Sequence, residues 1–437
     1  RPGLLPQFIF LVRQFISSFL TDYSRIGDPT EGVSRIEVWL NGLTNGRDQA
    51  QVLLRMANDT FYKQRNISVD LRLTPIQSLL PALMAKQGPD VILTLSASEP
   101  VNYAIRNGVV NLAGFEDFES VSRRFMPSAL APFAFDGGVY ALPEAQTFFM
   151  LFHRNDILDE LGQEVPQTWD DVVSLIPVLQ KRNLTFGLPQ AMGPYVGIGY
   201  YTFAMFLYQN DGELYQVGNA RSNLDSLSAI RAFTQWTRFY TDYHLPIQYD
   251  FLNRFRSGEI PVGIADYSLF NYLKVFAPDI QGLWGMSPVP GILEADGSLN
   301  RSVPGNTTGA VIVRSTPDLE DSWEFLKWWT STDVQSRFGI ELEIILGPSG
   351  RYSPANVEAL RNIPWTRSEL ALIEEQLAQV FGVPEVPGSY MTPRLVDFAL
   401  RDVLNRGLDP DESLKEATDA INNEIRNKYA EFGHGQE

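Results

Sequence analysis

The sequence predicts an α/β fold in which strands alternate with helices and pair in mostly parallel sheets. Over residues 35–107, short segments of strand length alternate with amphipathic segments of helix length, a pattern typical of parallel sheets covered by helices. A second indication lies in residues 255–268, where a helix ends near Gly258 and a small apolar strand leads into Asp266 and Tyr267. In an open α/β sheet, residues that follow such a strand face a ligand crevice, so an acid and an aromatic ring are expected there.

The first elements are each justified by their hydrophobic pattern. Alternation of apolar and polar residues predicts strands at 36–40 and 67–73, and an apolar run predicts a buried strand at 89–95. Apolar spacing predicts helices at 48–63, 76–86 and 100–107, the last with Ser98 as its N-cap.

Residues 4–20 are predicted to form an amphipathic helix, because their apolar side chains recur at steps of three and four. Polar residues interrupt this run, and it is shorter than the roughly 20 residues of a membrane-spanning helix. We expect its apolar stripe to pack on this domain or on an upstream one; a helix resting on a membrane surface is the alternative.

Residues 21–34 resemble a linker. With no leader visible, additional upstream sequence is expected.

Composition excludes several classes of function. The 437 residues are 44% hydrophobic and 20% charged, which is ordinary for a globular protein with two or three domains. A net charge of -17 argues against a nucleic-acid partner, which would require a basic face. Cysteine is absent, and the three histidines, His153, His244 and His434, are far apart. The sequence therefore predicts no disulfide, no thiol catalysis, no metal site and no cofactor.

A series of short motifs resembles the extracellular solute-binding protein family 1, whose members feed sugar-importing ABC transporters. Residues 255–268 carry the first motif, which is followed by Trp284-Gly-Met-Ser-Pro-Val-Pro-Gly291. Further matches, in chain order, are Gln87-Gly-Pro-Asp-Val91, Asp136-Gly-Gly-Val-Tyr-Ala-Leu-Pro143, Leu151-Phe-His-Arg-Asn155 and Pro166-Gln-Thr-Trp-Asp-Asp171. Together they cover about residues 35–350. Gly350-Arg-Tyr352 and Pro384-Glu-Val-Pro-Gly388 are similar to a large-chain, Firmicute-like branch.

The resemblance implies a two-lobed, periplasmic-binding-protein-like fold of type II, with a three-segment hinge. Each lobe would be a mostly parallel sheet flanked by helices. The implied chain crossings lie near residues 142–148, 305–309 and 344–350. Lobe one would then contain residues 35–144 and 306–344, and lobe two residues 148–304 and 350–437, after an N-terminal helix and linker at 1–34.

Sugar binding requires aromatic faces for the C–H surfaces of a ring and planar polar side chains for its hydroxyls. Position relative to the predicted strands and crossings selects twelve candidate ligand-binding residues. These are Asn41, Ser96, Glu99, Glu144, Gln146, Tyr195, Asp266, Tyr267, Trp284, Asn306, Arg351 and Tyr352. In the family the aromatic residue matching Tyr267 is typically a sugar-stacking Trp. Arg351 could hold a pair of hydroxyls or a uronate carboxylate through its forked donors.

Alternative roles remain open for several aromatic residues. Trp284 could equally belong to the core. Tyr195 lies in the glycine-rich stretch Gly193-Pro-Tyr-Val-Gly-Ile-Gly-Tyr-Tyr201, which lacks the basic residue of a phosphate cradle. Trp323, Trp328 and Trp329 are spaced along an amphipathic helix, where core packing is favoured over a sugar platform.

The predicted function is a non-enzymatic, extracellular, cell-surface-associated receptor. It would capture a carbohydrate, more readily an oligosaccharide, and deliver it to the permease of an ABC transporter. A monomer and an additional upstream domain or anchor are expected. The alternatives are a glycosidase using Glu144 and Asp266, or a carbohydrate-sensing or adhesion module of a larger surface protein.

Overall fold

The structure is a computed structural model that describes residues 25–27, 33–42, 45–189, 198–216, 218 and 221–432. The chain forms two compact units. The first contains the described residues up to Thr94 together with Ile312–Trp328, and the second contains Leu95–Val311 and Trp329–Glu437. The predicted amphipathic helix at 4–20 lies outside the described residues.

Fifteen strands occur in the described residues. They are β1 Arg25–Ile26, β2 Ser34–Asn41, β3 Ile67–Thr74, β4 Val91–Ser96, β5 Ala134–Phe135, β6 Gly138–Val139, β7 Leu142–Thr147, β8 Phe149–Arg154, β9 Phe186–Gly187, β10 Val262–Asp266, β11 Trp284–Ser287, β12 Ile292–Leu293, β13 Leu299–Asn300, β14 Val303–Ile312 and β15 Val380–Gly382.

The α-helices lie between and after these strands. In the described residues they are Arg47–Met56, Tyr62–Arg65, Leu79–Met84, Ser98–Ala104, Phe118–Ser122, Pro127–Leu130, Asn155–Leu161, Trp169–Gln180, Ile198–Gln209, Leu227–Thr241, Phe251–Ser257, Leu269–Phe276, Leu319–Trp329, Thr332–Leu346, Val357–Asn362, Arg367–Leu377, Thr392–Arg406 and Pro410–Glu431. Within the part of the chain that the structure describes, none of them has both the length and the apolar character needed to cross a bilayer.

In the first unit, β2 runs parallel to both β3 and β4, as the alternation of strands and helices predicts. β1 joins the edge of this sheet antiparallel to β3, so the predicted linker at 21–34 contains a short strand. Asp70 on β3 is buried, and its carboxylate receives the side chain of Arg25 through two hydrogen bonds of 2.9 and 2.7 Å. This ion pair attaches β1 to the sheet.

One predicted detail of the early helices is wrong. The helix predicted at 48–63 is confirmed as a continuous helical stretch over 47–65, which includes a π-helical turn at Ala57–Phe61. Ser98 is the first residue of the next helix rather than its N-cap, because the preceding Ala97 already has helical angles (φ -51°, ψ -38°). The backbone N–H of Ser96 is instead bound by the carboxylate of Glu99, at 2.8 Å.

In the second unit, one sheet has the strand order β11-β8-β10-β9. β8 runs antiparallel to β10 and β11, and only β9 is parallel to β10, so this sheet is mixed rather than mostly parallel. The helix Phe251–Ser257 ends at Gly258, whose φ of 85° is the left-handed conformation predicted from the sequence. Gly263 on β10 is required by close approach, since a Cβ there would lie 2.8 Å from the carbonyl oxygen of Gly187.

The core of this unit is strongly aromatic. Trp169, at the start of its helix, packs against Phe206 with ring centroids 4.5 Å apart and against Phe239 at 5.5 Å. The predicted helix start is confirmed, because Thr168 and Asp171 form a reciprocal capping box. This packed core holds the sheet that carries Asp266 at the end of β10.

Candidate functional site

Three extended backbone segments lie side by side in the second unit. β7 pairs antiparallel with β14, with Gln146 opposite Thr307 and Thr147 opposite Asn306. On its other side, the backbone N–H of Gln146 donates to the carbonyl oxygen of Ser353 at 3.1 Å. The third segment is therefore residues 353–355. The range 344–350, where the third chain crossing is predicted, contains the end of the helix Thr332–Leu346 and a 3-10 turn at Pro348–Gly350.

Glu144 is oriented by contacts at both its side chain and its backbone. The residue is 1% exposed, and its Oε1 accepts a hydrogen bond from the indole Nε1 of Trp329 at 2.6 Å. Its carbonyl oxygen accepts from the hydroxyl of Tyr352 at 2.9 Å and from the backbone N–H of Ala355 at 2.9 Å. A buried carboxylate requires such donors, so Glu144 is held in a fixed position beside β14 and residues 353–355.

Gln146, two residues after Glu144 on β7, is also held by a side-chain hydrogen bond. Its amide Nε2 donates to the hydroxyl Oγ1 of Thr307 at 3.1 Å, and both residues are buried. Gly305 leaves space for this amide, because a Cβ at position 305 would lie 2.5 Å from Nε2 of Gln146. The carboxylate of Glu144 and the amide of Gln146 thus lie two residues apart on one strand, with neighbouring side chains fixing both.

Asp266 is the last residue of β10, and Tyr267 follows the strand as predicted. Asp266 is partly buried, and its Oδ1 accepts from the backbone N–H of Ser268 at 2.9 Å. Burial raises the pKa of the Asp266 carboxyl, opposed by hydrogen bonds from Thr147 and Ser268. Tyr267 is 0% exposed, with its ring 4.7 Å from that of Phe148. In this structure its ring presents no free face.

Arg351, adjacent to Tyr352 in the sequence, already uses two of its guanidinium nitrogens in hydrogen bonds to Glu343. Its Nε and Nη2 donate to the two carboxylate oxygens of Glu343 at 2.9 and 2.6 Å. Its guanidinium carbon lies 4.7 Å from the ring centroid of Trp365. The adjacent Tyr352 packs its ring against Phe338 at 5.2 Å, and the pKa of its hydroxyl is raised by burial and by Glu144.

Of the other candidates, Asn306 lies on β14 opposite Thr147, whereas no contact of the described residues brings Ser96, Glu99 or Trp284 into this cluster. Ser96 and Glu99 bond to each other, the Ser96 hydroxyl to a carboxylate oxygen at 2.9 Å. Trp284 packs its ring against Phe270 at 5.3 Å and lines a separate cavity of about 270 Å³. Asn306 is exposed beside Thr307.

Of the two remaining candidates, one belongs to the first unit and the other is not among the described residues. Asn41 ends β2 in the first unit, where it is buried. Tyr195 lies outside the described residues; Ile198 and Gly199 of the same glycine-rich stretch are the first residues of the helix Ile198–Gln209.

Sequence reasoning missed several residues that the structure places beside the candidates. Trp329 is buried, as core packing predicts, yet its indole N–H reaches Glu144. Glu343 and Trp365 carry no local pattern that marks them as partners of Arg351.

Glu385 is a further missed residue, although its motif carried part of the family resemblance. Its Oε2 accepts from the hydroxyl of Ser389 at 2.5 Å. Burial raises the pKa of the Glu385 carboxyl from 4.5 to about 7. The carboxylate in turn contributes to raising the pKa values of the Tyr200, Tyr201 and Tyr215 hydroxyls, whose main cause is burial. An acid surrounded by tyrosines therefore lies next to the helix Ile198–Gln209.

Among the described residues, no group of three or more His, Asp or Glu side chains is arranged to hold a metal ion. The groups that the structure concentrates around β7 are carboxylates, amides, hydroxyls and aromatic rings. Such a set can orient a polar ligand by hydrogen bonds and aromatic contact.

The sequence is similar to those of bacterial binding proteins. A family model described as bacterial extracellular solute-binding protein matches residues 45–336. A putative binding protein of Brucella abortus (strain 2308) is 24% identical over 307 residues, which cover 67% of this chain and 70% of the relative.

Two solved structures are similar in fold. The sugar-binding protein MalE from Xanthomonas citri superposes with a TM-score of 0.75 at 18% identity, over 92% of this chain and 100% of that one. An ABC transporter solute-binding protein from Thermotoga lettingae TMO, bound with alpha-D-tagatose, gives a TM-score of 0.67 at 20% identity, over 90% and 100% of the two chains. The predicted fold class is confirmed.

Proposed function

Because this chain belongs to the bacterial extracellular solute-binding protein family, we propose that it captures a carbohydrate and delivers it to the permease of an ABC importer. The family consists of binding proteins, which agrees with the prediction of a receptor rather than an enzyme. It also agrees with a location outside the cytoplasmic membrane. The ligand, the permease and attachment to the cell surface are parts of the proposal.

The observation that carries the proposal is the fixed polar array on β7. The carboxylate of Glu144 and the amide of Gln146 are held by Trp329 and Thr307 at 2.6 and 3.1 Å. Preorganised planar acceptors and donors beside aromatic rings suit a ligand that carries many hydroxyls and C–H faces. Prior orientation lowers the entropy lost when a ligand binds.

The similar structures support a sugar as the ligand class. One of them is named a sugar-binding protein and another is bound with alpha-D-tagatose. At 18% and 20% identity these likenesses concern the fold, so the sugar is carried over to this chain as part of the proposal. The proposed contacts are the twelve residues selected from the sequence, with Glu144, Gln146, Asp266, Arg351 and Tyr352 as the group that the second unit brings together.

We also retain the predicted lobes, 35–144 with 306–344 and 148–304 with 350–437, as part of the proposal. The predicted chain crossings near residues 142–148, 305–309 and 344–350 would serve as the three connections that bend when the ligand is bound. A monomer and an additional upstream domain or anchor stay predictions.

The proposal is tested by a thermal-shift screen of the purified chain against mono- and oligosaccharides, including uronates. A shift of several degrees with the sugar recovered intact is expected, because a ligand that binds only the folded state stabilises it. Recovery of cleaved sugar would support a glycosidase instead. Absence of a shift with every carbohydrate would overturn carbohydrate capture.

A Glu144→Gln variant adds a site-specific readout. This change keeps the shape of the side chain but removes the charge that the Trp329 indole binds, so weaker sugar binding is expected. Glu160→Gln is the matched control, because Glu160 is an exposed acid on the helix Asn155–Leu161.

A further inference from the structure

Arg351 and Trp365 form a stacked pair next to the polar array. The guanidinium carbon of Arg351 lies 4.7 Å from the indole centroid, and the indole is 6.2 Å from the ring of Tyr267. The hydroxyl of Tyr267 in turn lies 3.5 Å from the carbonyl oxygen of Gln146. The pair is thus joined to β7 by one intervening aromatic ring.

Both members of this pair carry a buried N–H group without an acceptor among the described residues. Arg351 uses Nε and Nη2 on Glu343, but Nη1 has no hydrogen-bond partner there. The indole Nε1 of Trp365 is also without one. Buried donors in folded proteins are almost always paired. Two neighbouring donors without an acceptor among the described residues are therefore unusual and suggest that a bound ligand supplies the acceptor.

The charges around the pair show what kind of acceptor would suit these donors. Glu343 binds the guanidinium through both oxygens, and the Arg351 side chain is only 6% exposed. The carboxyl groups of Glu144 on β7 and Asp266 on β10 are acids and add no positive charge. The nearby cation Lys274, which lies over the Phe270 ring, is paired with Glu369 at 3.0 Å. A carboxylate brought to Arg351 would therefore meet no uncompensated positive charge.

We infer that Nη1 of Arg351 and Nε1 of Trp365 donate to an uncharged oxygen of the ligand, which makes this a site for neutral carbohydrate rather than for a uronate. The acceptor is a hydroxyl or a ring oxygen. Trp365 then contributes both a donor and, through the stacked guanidinium, the orientation of Arg351. This inference rests on the proposed function and specifies its ligand class.

The first experiment compares matched neutral and acidic trisaccharides by thermal shift. The pairs are cellotriose with cellotriuronate, α-1,4-galactotriose with α-1,4-trigalacturonate, and β-1,4-mannotriose with β-1,4-trimannuronate. Stabilisation by a neutral member that exceeds that by its uronate supports the inference. Equal or greater stabilisation by the uronate overturns the inference but leaves carbohydrate capture standing. Failure of every carbohydrate in the wider screen overturns both.

The second experiment removes the indole donor with Trp365→Phe and measures both stability and binding. Since Nε1 has no acceptor among the described residues, the change removes no hydrogen bond there, and the melting temperature should fall less than in a variant that loses one. The dissociation constant for the most strongly stabilising trisaccharide should increase by about threefold to tenfold, as for one lost hydrogen bond.

Trp328→Phe is the matched control, because the Trp328 indole donates to the hydroxyl of Thr60 at 2.9 Å. Loss of this bond should lower the melting temperature and leave the dissociation constant unchanged. If Trp365→Phe behaves like this control, the Trp365 indole is structural and the inference is wrong.

Discussion

The indole Nε1 of Trp329 donates a hydrogen bond of 2.6 Å to Oε1 of Glu144, joining residues 185 positions apart in the sequence. Trp329 is 1% exposed and packs edge-on against Phe338 at 4.9 Å, so the indole cannot rotate away without disturbing the core. A rigid donor bound to a buried carboxylate fixes the direction in which that carboxylate faces.

Trp329→Phe should therefore reduce both stability and ligand binding. The phenyl ring keeps the contact with Phe338 but leaves the Glu144 carboxylate without the indole donor, which should lower the free energy of unfolding by about 1–3 kcal/mol. Urea denaturation measures the stability, and calorimetric titration with the sugar found in the screen measures the affinity.

A control for this variant is Trp169→Phe. The Trp169 indole also donates to a buried side-chain oxygen, Oε1 of Gln209, at 2.6 Å. We expect a similar loss of stability but unchanged sugar affinity. Equal loss of affinity in both variants would show that Trp329 acts only through global stability.

Gly305→Ala should displace the amide of Gln146. A Cβ at this position would lie 2.5 Å from Nε2 of Gln146 and 3.0 Å from a side-chain carbon of Val380. The amide must then leave its hydrogen bond with Thr307, so stability should fall by about 1–3 kcal/mol and sugar affinity should decrease. Gly114→Ala, where nothing lies within 4 Å of the added Cβ, should leave both quantities unchanged.

The stability of the protein should depend on the protonation of Glu385. The pKa of this carboxyl is raised from 4.5 to about 7 by burial, so the folded state holds the proton more tightly than the unfolded state. The contribution of the Glu385 carboxyl to stability is then greatest below pH 4.5, decreases as pH rises from about 4.5 to about 7, and is constant above that range.

Glu385→Gln tests this dependence. A shift of one pKa unit corresponds to about 1.4 kcal/mol. The variant should therefore be more stable than the parent by up to about 3 kcal/mol at pH 8, with no advantage at pH 4. Thermal unfolding between pH 4 and pH 8 gives the comparison. A difference between variant and parent that does not change with pH would contradict the raised pKa.

Glu343→Gln should change ligand selectivity through Arg351. The variant keeps an oxygen acceptor for the guanidinium but removes the negative charge that neutralises it. Uronate trisaccharides should then bind more tightly than to the parent, while neutral ones change little. Glu341→Gln is a control on the same helix, since Glu341 pairs with Arg337 instead, at 2.7 Å. If the two variants give the same uronate affinity, Glu343 does not set the selectivity.

Much of the fold could be predicted because it depends on local patterns. The strands β2 and β3, the left-handed end of a helix at Gly258 and the capping box at Thr168 all follow from residues within a few positions of one another. Family membership likewise follows from short motifs in a fixed order. Backbone preference and hydrophobic periodicity act over such distances, so a single sequence contains the information.

The details of the site were decided by the tertiary structure. Residues 353–355 lie beside β7, Nε and Nη2 of Arg351 are bound by Glu343, and the ring of Tyr267 is buried against Phe148. Each outcome depends on which side chains are brought together by packing of distant segments. The burial and hydrogen-bond partners of a side chain are properties of that packing, and no local pattern in the sequence specifies them.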